Sequence, residues 1–152
     1  MLTLYTEGYG FSKRLCEDVV CWFVSKHLPR HKLEIEVLHR GLRREYVHGY
    51  CSVQDCDWRP RDFLIEIQSN LSQKDYIQTL FHELYHCYQH IKGDLRDIRG
   101  IRCWKGMKWD DDDDYDRMPW EIEAYQKEKE LYEKYLNASD ATNHTQIRSP
   151  PN

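Results

Sequence analysis

Apolar side chains recur along this chain with two periods, one typical of helices and one typical of strands. Helical spacing and a cap at Ser12 predict a first helix over 11–27, with apolar positions at Phe11, Leu15, Val19, Trp22 and Phe23. Alternation predicts a half-buried strand over 33–38. β-rich stretches predict further strands at 45–53 and 63–67 and a short edge strand at 2–5. The mixture of elements predicts an α+β fold.

Two more helices are predicted in the second half of the chain. Ser72 is placed to cap a helix that runs to Ile91 or Lys92, with Gly93 as its C-terminal cap. Residues 93–117 show little periodicity and predict a long connection. Pro119 is placed to open a last helix that runs to about Leu136. Residues 137–152 are polar and predict a disordered tail after a single domain over 1–136.

The second predicted helix carries the pentapeptide His82-Glu83-Leu84-Tyr85-His86. Residues four apart lie on one face of a helix, so His82 and His86 are expected to hold one metal ion from the same side. Glu83 is expected to reach a water molecule on that ion as a general base. Zinc accepts two neutral imidazoles and a carboxylate and leaves one position open in catalytic sites. The motif predicts a zinc-dependent hydrolase, most often a peptidase.

A third protein ligand is needed, and His90, Glu121 and Glu123 are the candidates. His90 continues the stripe of His82 and His86, but three ligands in that line span about 12 Å, too far for one ion. Glu121 lies near the middle of the apolar stripe of the last helix, in line with Glu128, whereas Glu123 points away. A buried carboxylate needs a partner. Glu121 is therefore the preferred third ligand, and Glu123 is expected to be solvated.

Charge and cysteine content narrow the choice of partners and compartment. The net charge is −4, and Asp110 to Asp114 form an unbroken acidic run followed by Asp116. We expect this run to be a solvated loop, with a basic substrate or a second cation as the alternative. No basic stripe with interleaved aromatics indicates nucleic-acid binding, and no apolar run is long enough for a membrane span.

The six cysteines are expected to be free thiols of an intracellular protein. Cys16 and Cys21 are expected to pack in the interior, on a helix. Cys51 and Cys56 flank a predicted turn, where a second metal site is a weaker alternative.

The residues His82-Glu83-x-x-His86-x-x-Gln89, Gly93, Trp104-x-Gly106, Tyr115 and Pro119-Trp120-Glu121-x-Glu123-Ala124-Tyr125 together resemble the small zinc metallopeptidases of the SprT-like and phage-associated type. The resemblance covers residues 70–130, in motif spacing more than in running identity. It implies a minimal zincin-like domain of the gluzincin class, with a small twisted sheet, the motif helix and a later helix that carries the third ligand. It also implies zinc and an intracellular location, in the host cytoplasm if the protein is viral. Some SprT-like proteins use a third His, but here only His144 follows, so the Glu121 variant fits better.

A peptide or protein is the expected substrate, with the predicted strand over 63–67 as an edge for pairing with it. Tyr115, Tyr125 and His90 are the candidates for stabilising the transition state. Two alternative functions stay open at this point. One is a zinc-binding adaptor or regulator without peptidase activity, and the other is a DNA-associated protease. The sequence does not predict an oligomeric state.

Overall fold

The computed structural model describes residues 1–109, 114 and 117–147, with the side chains of 142–147 left out of the description. The elements, in chain order, are β1 (Leu2–Gly8), α1 (Lys13–His27), β2 (Leu33–Arg40), a 3-10 turn (Arg43–Glu45), β3 (Gly49–Val53), β4 (Asp62–Gln68), α2 (Gln73–Lys92), β5 (Leu95–Ile98), β6 (Ile101–Trp104), β7 (Met107–Lys108) and α3 (Pro119–Ile147). The predicted mixed α+β class is confirmed.

The main sheet has the strand order β1-β2-β4-β3. β1, β2 and β4 are parallel, and β3 runs antiparallel to β4. In register, Ile35 lies beside Phe63 and Val37 beside Ile65, and all four side chains are fully buried. The prediction that residues 63–67 form an edge for a peptide is therefore wrong. β4 is central because β2 and β3 cover both of its sides, and β3 is the edge strand beside α2.

Helix α2 packs against the sheet and against both other helices. Phe81 lies at the point where the three helices meet, with ring centroids 5.5 Å from Trp22 and 6.3 Å from Phe23 on α1 and 5.8 Å from Tyr135 on α3. The Tyr135 hydroxyl also donates a hydrogen bond to Asp18 of α1. This aromatic contact sets the position of α3 relative to the motif helix.

The predicted caps of the first two helices are present. Ser12 Oγ accepts a hydrogen bond from Leu15 N, and Ser72 Oγ accepts one from Asp75 N, each at 3.2 Å. Gly93 closes α2 in the left-handed region at φ 88°, and its N–H donates to the carbonyl oxygens of α2's last turn. These local signals explain why the limits of α2 follow from sequence.

Residues 93–117 were expected to be an irregular connection, and that expectation is wrong for most of the segment. β5, β6 and β7 form a small antiparallel sheet. Its two turns place Arg99-Gly100 and Lys105-Gly106 at positive φ, as two-residue hairpin turns of type I′ require. Gly at the second turn position was the available signal, but Arg and Lys replace the usual Asn or Asp before it.

The second sheet is attached to α3 through its own small core. Leu95, Trp104, Met118 and Trp120 are buried together, with the Trp104 and Trp120 ring centroids 6.3 Å apart. The sheet therefore forms one wall beside the start of α3, where Glu121 lies.

Two predicted boundaries are corrected. The strand expected over 45–53 begins only at Gly49, because the chain first makes the 3-10 turn and Tyr46 adopts a left-handed conformation at φ 57°. The last helix, expected to end near Leu136, continues to Ile147, so the described part of the expected tail is helical. No Gly or Pro occurs between Trp120 and Ser149 to stop the helix, and Ala138 and Ala141 favour its continuation past Leu136. None of the described helices is long and apolar enough to cross a membrane.

Replacing Phe81 with Ala should lower the free energy of unfolding by about 3–5 kcal/mol, because it leaves a cavity where three helices meet. Urea unfolding followed by circular dichroism measures this. Tyr5→Ala is the matched control, since Tyr5 is 52% exposed and its loss should leave the urea midpoint nearly unchanged. Similar losses in the two variants would contradict the central role of Phe81.

Candidate metal centre

His82 and His86 lie in the interior of α2, away from both of its ends. Both side chains are buried, and their ring centroids are 4.7 Å apart. Their Nε2 atoms face each other at 3.1 Å. The one-turn spacing that the sequence predicted therefore brings both nitrogens to one point.

Glu121 meets the two histidines from the first turn of α3. Its Oε2 lies 3.0 Å from His82 Nε2, and its Oε1 lies 3.2 Å from His86 Nε2. Its side chain is 2% exposed. Burial opposes the charge on Glu121, but the hydrogen bonds of His82 and His86 outweigh burial and hold its pKa well below the usual range. The structure thus brings together the three residues that the sequence singled out as ligands.

The spacing of these ligand atoms fits a small divalent cation. A tetrahedral ion with bonds of about 2.1 Å separates neighbouring ligand atoms by about 3.4 Å. The two imidazole nitrogens are 3.1 Å apart, and each has one oxygen of the Glu121 carboxylate at a similar distance, Oε2 at 3.0 Å from His82 and Oε1 at 3.2 Å from His86. A cation bound by the Nε2 atoms of His82 and His86 would also accept the lone pairs of both nitrogens. In the described part of the chain, His82, His86 and Glu121 are the one group found with metal-ligand spacing. Two imidazoles and a carboxylate suit zinc, although other divalent metals accept the same donors.

Each histidine is oriented through its outer nitrogen. Nδ1 of His82 lies 2.9 Å from Glu128 Oε2, and Nδ1 of His86 lies 2.8 Å from Gln89 Oε1. Gln89 Nε2 in turn donates to the Trp120 carbonyl at 3.0 Å. In a metal-bound state, with the Nδ1 proton donated to these oxygens, each Nε2 would give up its hydrogen bond to Glu121 and present its lone pair to the metal. Burial opposes protonation of His82, but Glu121 and Glu128 outweigh it and raise its pKa to about 10 before a metal competes for that nitrogen.

Sequence reasoning did not assign Gln89 or Glu128 these roles. Their signals were present, since Gln89 lies three residues after His86 and Glu128 lies seven after Glu121, on the same helix faces. The contact of Glu128 with His82 depends on how α3 crosses α2, which no local pattern states.

Glu83 lies beside the three ligands and borders two cavities. Its side chain is buried, and burial is the largest cause that raises its pKa to about 6. One cavity, of about 320 Å³, lies toward Tyr125 and Glu128. The other, of about 380 Å³, lies toward Leu95 and Arg102. Strand β3 borders both cavities, so the cleft follows the edge of the main sheet on either side of Glu83.

The remaining candidate residues lie at different places around the ligand group. The ring of Tyr125 lies 4.7 Å from that of His82, and the residue is 42% exposed at the first cavity. His90 is buried and borders the second cavity, outside the ligand group. Tyr115 lies outside the described residues. Glu123 was expected to be solvated and is instead half-buried, because Gln89 Nε2 donates to it at 3.3 Å across the two helices.

The acidic run and the cysteines add no second metal site among the described residues. Within the run, Asp114 is exposed and lies 3.9 Å from Arg117, and 110–113 and 116 lie outside the description. All six cysteines are free thiols. Cys16 is buried as expected, whereas Cys21 is exposed, which corrects its predicted packing.

The alternative site at Cys51 and Cys56 does not form. The Cys51 sulfur contacts that of Cys87 on α2, and the Cys56 thiol donates to the Trp58 carbonyl.

Comparison of the chain with protein-family models, with curated proteins and with solved structures finds no match. What can be inferred about function therefore depends on the geometry of the site.

Glu128→Gln should weaken the binding of a divalent metal by about 10- to 100-fold, because it replaces the carboxylate that accepts the His82 Nδ1–H by a neutral amide. Competition with a chromophoric chelator measures the affinity. Glu130→Gln on the same helix is the matched control, because Glu130 is exposed and pairs only with Lys127 in the described contacts. Equal affinities for wild type and Glu128→Gln would contradict the orienting role.

Stability should fall between about pH 6.5 and pH 4 through His90. Burial lowers its pKa from 6.5 to about 4, so the unfolded chain binds this proton first as the pH falls. The loss of unfolding free energy that His90 causes should reach at most about 3 kcal/mol near pH 4 and vanish above pH 7. The measurement is urea unfolding of wild type and His90→Gln at several pH values, with a chelator present. The difference between the two proteins gives the effect of His90 apart from that of the other titrating groups. Parallel pH profiles for the two proteins would contradict it.

Proposed function

We propose that this chain is a zinc-dependent metallopeptidase in which His82, His86 and Glu121 hold the metal and Glu83 is the general base. The observation that carries the proposal is that one ligand atom from each of three buried residues lies within 4.8 Å of the other two, beside a buried carboxylate that borders open cavities. A closed structural zinc site has four protein ligands and no use for such a carboxylate.

Zinc bound there would supply Lewis acidity and lower the pKa of a coordinated water molecule. In this proposal Glu83 would accept a proton from that water. Its pKa of about 6 leaves it mostly ionised at neutral pH and still basic enough to take up a proton. The same carboxyl then delivers the proton to the departing amine of the peptide.

The proposed substrate is an extended segment of polypeptide that lies along β3. This strand is the edge of the main sheet next to α2, so it replaces β4 as the strand for backbone pairing. The cavities on both sides of Glu83 give room for side chains on either side of the cleaved bond. Among the described candidates, Tyr125 is the one proposed to stabilise the transition state, since it borders the same cavity as Glu83 and His82.

A zincin-like fold of the gluzincin type is part of the same proposal. Its support is the arrangement of a mixed sheet, a motif helix beside the sheet edge, and a later helix that brings Glu121 to the two histidines. Intracellular action is proposed as well, on the basis of six free thiols.

Glu83→Gln should keep one equivalent of zinc and lose peptide hydrolysis by a factor of about 100 to 10,000, because the amide cannot accept the proton. His82→Ala should lose both the zinc and the activity. The measurements are elemental analysis and cleavage of a diverse peptide library, with Glu34→Gln on the exposed part of β2 as the control. Wild-type hydrolysis that survives in Glu83→Gln would exclude this mechanism. Zinc binding without any hydrolysis by wild type would favour an adaptor or regulator instead.

A further inference from the structure

Strand β3 and helix α2 can meet in a matched register. Side chains on one face of a strand advance about 6.7 Å every two residues. Side chains on one face of a helix advance about 6 Å every four residues. Gly49 and Cys51 share one face of β3, and Glu83 and Cys87 share one face of α2. The two pairs are therefore spaced to meet as neighbouring contacts.

Both contacts are present. The sulfur atoms of Cys51 and Cys87 are 3.5 Å apart. At the other position, a Cβ added to Gly49 would lie 2.9 Å from Glu83 Oε1 and 3.1 Å from Glu83 Cγ. Cβ atoms do not approach other heavy atoms as closely as 2.9 Å, so Glu83 or the strand would have to shift. The carboxyl of Glu83 occupies the space that a side chain at position 49 would need.

The backbone conformation does not explain the glycine. Gly8 and Gly93 have φ angles of 99° and 88°, where a residue with a side chain is strained. Gly49 has no such positive φ. Space for a neighbouring group is the remaining requirement at this position, and the neighbours are Glu83 and the carbonyl oxygen of Glu66, which would lie 3.0 Å from the added carbon.

We propose that Gly49 is a positioning residue of the candidate metal centre, whose missing side chain lets β3 approach α2 while Glu83 keeps the orientation needed of a general base. The inference rests on the proposed role of Glu83 as general base. It adds that Gly49, on β3, is needed to keep Glu83 in position for that role. It also explains why the edge strand can lie directly over the base: a larger residue would push either the carboxyl or the strand out of place.

A stability cycle tests the contact without any use of activity. Urea midpoints are measured for wild type, Gly49→Ala, Glu83→Ala and the double variant, each with and without zinc. Gly49→Ala should lower the midpoint in the wild-type background, and most of that loss should disappear when residue 83 is alanine, as for residues in direct contact. An equal loss in both backgrounds would assign the conflict to the Glu66 carbonyl and overturn the proposal.

Failure of a variant to fold also decides the question. If Gly49→Ala does not fold but the double variant does, the conflict lies with Glu83 and the proposal stands. If neither folds, the conflict lies with the sheet itself and the proposal is wrong.

Kinetics then separate positioning from a general loss of structure. Gly49→Ala should keep its zinc, show a kcat lower by about 100-fold and leave KM nearly unchanged, as expected for a misplaced catalytic group. Gly41→Ala is the matched control, because an added Cβ there meets only the Tyr9 hydroxyl oxygen, at an ordinary 3.5 Å. A kcat for Gly49→Ala equal to that of Gly41→Ala would overturn the proposal. If wild type hydrolyses no peptide, the proposed function fails, and the stability cycle still decides whether Gly49 makes room for Glu83.

Discussion

The site depends on the packing of α3 against α2. This one contact brings the Glu121 carboxylate within hydrogen-bonding distance of both His82 and His86 and places Glu128 at the outer nitrogen of His82. An isolated buried carboxylate is costly, so Glu121 is compatible with this interface only because two imidazoles meet it there. The aromatic contact around Phe81 sets the geometry of the interface from the other side of α2. The core and the candidate metal centre are therefore consequences of the same helix pair.

The charges around the site follow from burial combined with specific partners. Glu121 and Glu83 are both buried carboxylates, yet their pKa values move in opposite directions. Glu121 accepts hydrogen bonds from two histidines and stays ionised, whereas the largest effect on Glu83 is loss of solvent, which raises its pKa. One carboxylate is thereby suited to bind a cation and the other to exchange a proton. Environments that separate the pKa values of two carboxyl groups in this way are typical of sites where the groups have different acid–base roles.

The edge strand β3 and the second sheet form the walls of the cleft around the candidate metal centre. β3 covers Glu83 closely where residue 49 has no side chain, and β5 and β6 border the cleft from the opposite side through Leu95 and Arg102. The second sheet is held to α3 by Trp104 and Trp120, so the wall of the cleft is packed against the same end of α3 that carries Glu121.

The sequence by itself determined the features that depend on residues close together in the chain. Caps at Ser72 and Gly93 set the limits of α2, the four-residue spacing put His82 and His86 on one face, and the apolar stripe selected Glu121 over Glu123. Tertiary structure alone decided that β4 is central, that Glu128 and Gln89 orient the histidines, and that Gly49 lies against Glu83. The hairpins of β5 to β7 were missed because Arg-Gly and Lys-Gly are weak turn signals. Helical periodicity and caps depend on residues that are only a few positions apart, so they can be predicted from the sequence. Strand order and the crossing of α2 with α3 arise from contacts between residues far apart in the chain, which no local pattern specifies.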